Sequence, residues 1–258
     1  MSLLNSAHSH GHAHSAAEQA IADMTCIAFY FLLRPGEYTG TTNAEAAFTL
    51  DDVRLFLGTR RLDLHTAPVA ELEASTSASL YFTTQKNQRK GDAIAHGRSR
   101  HPLCCPVRCL IRRVLAHRRH CHSLHIPLPG STILASFYHN ARQIRVRASD
   151  ITRHLKLHAA TCFHATGIPA AAISARSLRA GGAMALLCGG ADTDIIKLLG
   201  RWHSDAMIRY LHQDATPVMS RLAVKMFNNG TYSFLPDATV PAAIQHAIET
   251  VPPATTAL

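Results

Sequence analysis

Residues 176–210 read RSLRAGGAMALLCGGADTDIIKLLGRWHSDAMIRY, a run of helical patterns punctuated by tight glycine turns. The spacing predicts a helix over 170–188, stopped by Gly189-Gly190. Asp192 or Thr193 caps a second helix through Leu199. Gly200 then makes a turn, and a short helix over 205–212 carries Tyr210. Arg176 and Arg179 stand three apart and are expected to share a helix face. Two guanidiniums on one face repel unless an anion lies between them, and phosphate matches their planar fork. The small residues from Ala180 to Ala183 would let another element approach closely. Trp202, the single Trp of the chain, then His203 and Tyr210 follow the turn. Taken alone, a Tyr on an amphipathic helix is ordinarily a packing residue.

Upstream, the pattern alternates between the two periodicities. Ile21, Met24, Ala28, Phe31 and Leu32 predict a core helix over 17–34, ending at Arg34 before Pro35-Gly36. An Arg at the end of an apolar helix is costly to bury without an anion or a carboxylate, and Glu37 is the nearest carboxylate in sequence. Short strands are predicted over 52–57, 62–66 and 79–85, with a returning strand over 92–96. Lys86 falls at the tip or shoulder of that last hairpin; by itself it is an ordinary solvated turn residue. Pro106 opens a helix whose apolar face is Val107, Leu110, Ile111, Val114 and Leu115, with Arg108, Arg112 and Arg119 on another face. A Pro-rich loop over 122–131 precedes two helices within 132–165, with Asp150 near the start of the second. The class expected is mainly α with a small antiparallel β-sheet, α+β. Residues 1–16 read as a disordered His-rich tail, 17–230 as one domain, and 231–258 as a C-terminal tail that is partly ordered or disordered.

Charge narrows the partner. Lys and Arg outnumber Asp and Glu by 26 to 17, and the excess is concentrated. Between Lys86 and Lys156 there are 15 Lys or Arg against two acids, Asp92 and Asp150. Such a block suits a polyanion, because each neutralised phosphate releases condensed counterions. A solvated surface of a basic protein is the plain alternative. The seven cysteines have no regular framework, and there is neither a signal-peptide pattern nor a long apolar run. Reduced thiols in an intracellular compartment are expected, with no membrane.

Four places together form an ordered set: Leu-Leu-Arg-Pro-Gly-Glu around Arg34, Gln85-Lys86, Ser-Leu-Arg ending at Arg179, and Leu-Leu-Gly before Arg201, nine residues ahead of Tyr210. This order resembles the tyrosine recombinase, or phage integrase, family over roughly residues 20–215. The Gly-Arg-Trp-x-Ser-Asp-Ala wording looks like the variant of eukaryotic mobile-element recombinases. The resemblance implies a recombinase catalytic-domain fold and a DNA strand transferase acting on double-stranded DNA. It implies a homo-oligomer on DNA, and a nuclear location for a eukaryotic mobile element. Arg34 and Arg179 would hold the scissile phosphate, and Tyr210 would attack it to form a 3′-phosphotyrosyl link. Lys86 would protonate the leaving 5′-oxygen. The link conserves bond energy, so no metal or nucleotide cofactor is implied.

The sequence departs from the family at two boxes. Arg176 replaces the His of the usual His-x-x-Arg box, and a guanidinium stays protonated at neutral pH. It would add a phosphate contact and leave base duty to His203 or water. In the third box Arg201 holds the strict position, with Trp202 and His203 as the alternatives that reach the phosphate. About 20 residues before the first Arg helix cannot supply the family's DNA-clamping domain. The chain is therefore expected to be a catalytic domain alone, a gene fragment or a truncated gene model. A catalytically inactive DNA-binding relic of the same fold is the alternative.

Two other classes are weaker. His8, His10, His12 and His14 alternate, and Cys104, Cys105, Cys109, His117, His120, Cys121 and His122 cluster. The cluster lacks paired Cys-x-x-Cys spacing and overlaps an amphipathic helix, which favours core placement over a zinc site. A type IB topoisomerase shares the Arg, Lys and Tyr chemistry, but the nine-residue spacing fits recombinases better.

Overall fold

A computed structural model describes residues 15–39, 47–83, 91–166 and 168–202. Residues 1–14 of the expected N-terminal tail and the expected C-terminal tail, together with Lys86, His203 and Tyr210, lie outside the described residues, whereas Ser15 and Ala16, expected in the disordered tail, cap and open the first helix. The chain is mixed α and β with a small antiparallel sheet.

Helix α1 is Ala16–Tyr30. Its first turn is closed by a capping box: the Ser15 hydroxyl accepts from Glu18 N at 3.2 Å, and Ser15 N donates to the Glu18 carboxylate at 2.9 Å. Such a cap is worth about 1 kcal/mol. From Ala20 to Ala28 nearly every residue is buried, including Asp23 and Thr25. A helix buried on all sides is a central helix. Phe31 and Leu32 of the expected face are buried, but the helix stops at Tyr30 and not at Arg34. Leu32 turns left-handed at φ +50°. Leu33 N then reaches back to Ala28 O at 3.0 Å and Leu32 N to Phe29 O at 3.4 Å, the bonding of a Schellman ending. Arg34 instead precedes a single turn, α2, Pro35–Tyr38.

A 3-10 turn, Leu50–Asp52, leads into β1, Val53–Leu57, which pairs with β2, Arg60–Leu62, so the strand expected over 62–66 ends where it was to begin. After α3, Val69–Glu73, come β3, Ser77–Phe82, and β4, Asp92–Gly97. The sheet order is β2-β1-β3-β4, antiparallel throughout. Val53, Leu55, Leu80, Phe82 and Ile94 send the buried face of this sheet into the main core. Helix α4, Pro106–Ser123, begins with Pro at its first position and buries Val107, Leu110, Ile111 and Val114 against α1 and the sheet.

Two expectations fail in the next stretch. The first helix expected after residue 132 is a β-hairpin: β5, Ser136–His139, and β6, Arg142–Arg145. Asn140 and Ala141 both have positive φ, +50° and +61°, as a two-residue type I′ loop requires. The second helix stands as α5, Ala148–Thr166, with Asp150 accepting from Arg147 N at 2.9 Å. The helix expected from 170 makes one 3-10 turn, Ala170–Ala172, and then extends at Ile173. Helix α6 starts only at Ser177 and runs to Cys188, where Ser177 Oγ accepts from Ser174 N at 3.1 Å. Helix α7, Thr193–Gly200, is capped by Asp192, whose side chain accepts from Asp194 N at 2.7 Å.

Candidate functional site

Helix α6 lies directly on α1 because Gly182 has no side chain. A Cβ there would clash with Phe29 O and the Leu32 side chain. That close approach brings Arg179 to the end of α1. The left-handed turn at Leu32 leaves the Leu32 carbonyl pointing away from helical partners, and Arg179 Nη1 donates to it at 2.8 Å. Arg179 Nη2 also donates to Gly200 O. The guanidinium stands 4.2 Å from the Trp202 ring centroid, a cation–π arrangement. Gly200 is needed under that ring, since a Cβ would run into the indole.

Arg201 approaches the same carbonyl from α7. It is left-handed at φ +56° and 7% exposed. Its Nη2 donates to Leu32 O at 3.3 Å and to Glu37 Oε2 at 2.9 Å, and its Nη1 donates to Leu199 O at 3.1 Å and Phe31 O at 3.3 Å. The Phe82 ring centroid is 3.9 Å from its guanidinium carbon. Burial lowers its pKa, while the Glu37 carboxylate opposes that shift. Glu37 is shared: its Oε1 accepts from Arg34 Nη1 at 2.9 Å, and Oε2 accepts from Arg34 N at 2.7 Å. Arg34 keeps 39% of its side chain exposed, whereas Arg201 keeps 4%.

Arg34, Arg179, Arg201 and Trp202, up to 168 positions apart, therefore meet around one backbone carbonyl and one carboxylate. Arg176 does not share Arg179's surroundings. It is the exposed residue just before α6, whereas Arg179 is buried. Lys86 belongs to the connection between the paired strands β3 and β4. Sequence reasoning passed over the Leu32 carbonyl and Phe82. The first has no side-chain signal, and the second reads as any apolar strand residue.

The basic block divides on inspection. Arg112 is partly exposed but paired: it donates to Asp23 Oδ1 through Nε at 2.8 Å and Nη2 at 2.5 Å, and Asp23 is fully buried. Arg113 is buried beside it. Arg98 and Arg118 donate to backbone carbonyls. Arg142, Arg145, Arg147 and Lys156 are exposed. Cys104, Cys105, Cys109, Cys121 and His117 are buried, and no group of three or more His, Cys, Asp or Glu converges as a metal set among the described residues. No helix among them is long and apolar enough to cross a membrane.

Comparisons with family models, curated proteins and solved structures return no match to this chain.

Proposed function

We propose that this chain is the catalytic domain of a tyrosine recombinase, a DNA strand transferase acting through Tyr210 and a 3′-phosphotyrosyl link. The supporting observation is the meeting of three arginines from three distant segments at the end of α1. A basic residue set of this kind stabilises the charge that builds on non-bridging phosphate oxygens in the transition state. In this reading Arg34, the most exposed of the three, meets the phosphate first. Arg179 follows by exchanging a carbonyl for a phosphate oxygen. Arg201 is a positioning residue that holds Glu37, which in turn orients Arg34. Lys86 serves the leaving oxygen, and His203 or water takes the tyrosine proton. Arg176 is a peripheral phosphate contact.

The test is covalent capture on a nicked suicide duplex by the full chain. Wild type is expected to give a protein–DNA adduct, Tyr210→Phe none, and Arg179→Ala roughly 10²–10³-fold less, the loss typical of one transition-state donor. A blank lane for wild type sinks the enzyme claim.

A second reading, a DNA-binding relic of the same fold, is favoured by the engagement of Arg201's Nη donors within the protein. It predicts duplex binding without adduct.

A further inference from the structure

The β3–β4 hairpin reaches the arginine cluster at two points. From β3, the Phe82 ring centroid lies 3.9 Å from the Arg201 guanidinium carbon. On β4, Asp92, Ile94 and His96 alternate with the exposed Ala93, Ala95 and Gly97, so they share its inner face. Asp92 is the register partner of Phe82, and its charge is felt at Arg201. Further along the same face, His96 meets the end of α1. Its ring stands edge-on to that of Phe31, with centroids 4.7 Å apart and planes at 89°, and to that of Tyr30 at 6.0 Å and 72°. Edge-to-face contact is a favoured geometry for aromatic rings. Phe31 is fully buried, and its carbonyl accepts from Arg201 Nη1 at 3.3 Å. The next carbonyl, that of the left-handed Leu32, accepts from Arg201 Nη2 at 3.3 Å. A continuous line of contacts thus runs from β4 through the end of α1 to Arg201.

We infer that His96 is a positioning residue for Arg201, acting through Phe31. By seating the Phe31 ring it fixes the carbonyls that Arg201 holds, and Arg201 in turn holds the Glu37 carboxylate that orients Arg34. Burial lowers the His96 pKa against the opposing effect of the Tyr30 backbone, so the ring is the neutral imidazole at pH 7. Its Nε2 has no hydrogen-bond partner among the described residues, which leaves ring contact as its link to Phe31. The role rests on the recombinase reading, since that reading supplies the phosphate which Arg34 and Arg179 meet.

The experiment is single-turnover adduct formation by the full chain on the nicked suicide duplex, with the duplex concentration varied. His96→Ala is expected to slow the reaction at saturating duplex by roughly ten- to a hundred-fold, the loss that follows a small misplacement of a site group. The half-saturating duplex concentration is expected to stay within about two-fold of wild type, because ground-state binding is not what the residue serves. His96→Phe, which keeps an edge-on ring against Phe31, is expected to recover most of the rate. Val114→Ala, which opens a cavity in the fully buried face of α4, controls for lost stability. It is expected to lower the melting temperature without slowing adduct formation when assayed well below melting. The deciding comparison adds Arg201→Gln: if His96 acts through Arg201, the double variant is no slower than Arg201→Gln alone. Losses that multiply overturn the proposal. So does His96→Phe as slow as His96→Ala, or His96→Ala no slower than Val114→Ala. A wild-type adduct with unaltered His96→Ala kinetics defeats this role alone, whereas a blank wild-type lane defeats the recombinase reading and this role with it.

Discussion

Leu32 occupies a backbone conformation that costs an L-residue roughly 1–2 kcal/mol, yet its side chain is fully buried. The turn is held because its carbonyl collects Arg179 and Arg201, so the strain and the arginine cluster are one feature. His117 is the other telling residue. It lies fully buried on α4, with Nδ1 3.3 Å from Tyr138 Oη, and near Arg113 and His120. Burial first, and the Arg113 charge second, push its pKa down to about 4. The unfolded chain, near 6.5, binds the proton first as pH falls. This stability is therefore fully present above pH 6.5 and is lost progressively towards pH 4. The loss is about 3 kcal/mol at about 1.4 kcal/mol per unit. Urea midpoints measured between pH 7 and 4 should fall steeply in wild type and less in His117→Gln. Parallel curves would show that another group carries the acid sensitivity.

Among the elements, much was legible where one periodicity dominated. Helix α4 announced itself through Pro106 and its apolar stripe, and β1, β3 and β4 through short alternating runs. The hairpin β5–β6 was missed because Ala141 replaces the Gly that normally marks a type I′ loop. The start of α6 was misread because three alanines after Pro169 carry high helix propensity, yet Ile173 is extended and Ala175 N is tied to Thr152 Oγ1 at 3.0 Å. The end of α1 was overrun because a Leu stands where a Gly would have signalled the turn. In the site, Arg34 and Arg179 were singled out from their sequence context and Arg201 through the family resemblance, but the sharing of the Leu32 carbonyl by Arg179 and Arg201 was not legible. Ala141→Gly is expected to stabilise the protein by about 1 kcal/mol, the cost of a left-handed Ala, visible as a melting rise of roughly 2–4 °C. Gly182→Ala should do the opposite. The new methyl group would strike Phe29 O and Leu32 and push α6 from α1, at about 1–3 kcal/mol. If Gly182→Ala melts like wild type, the close crossing that places Arg179 is not as described.

For the molecule as a whole, the formal charge of +9 overstates what a polyanion would meet. Arg112 is paired with the buried Asp23, Arg113 is enclosed, and Arg98 and Arg118 are spent on backbone carbonyls. Among the described residues of the basic block, Arg142, Arg145, Arg147 and Lys156 are exposed on β6, just before α5 and on α5, while Arg100, Arg108 and Arg119 are exposed elsewhere. With four phosphates neutralised by the first four, the logarithm of duplex affinity should fall with the logarithm of salt at a slope of roughly −3 to −4. Arg142→Gln combined with Arg145→Gln should flatten that slope by about 2 without altering the fold, since both side chains are exposed. Arg108→Gln, at an exposed position on α4, is the contrasting variant. Should it flatten the slope as much as either of the others, the contact surface is spread over the molecule and the hairpin is not its centre. A slope near zero in wild type would mean that duplex DNA is not held through its phosphates at all, and the strand-transfer reading would lose its substrate.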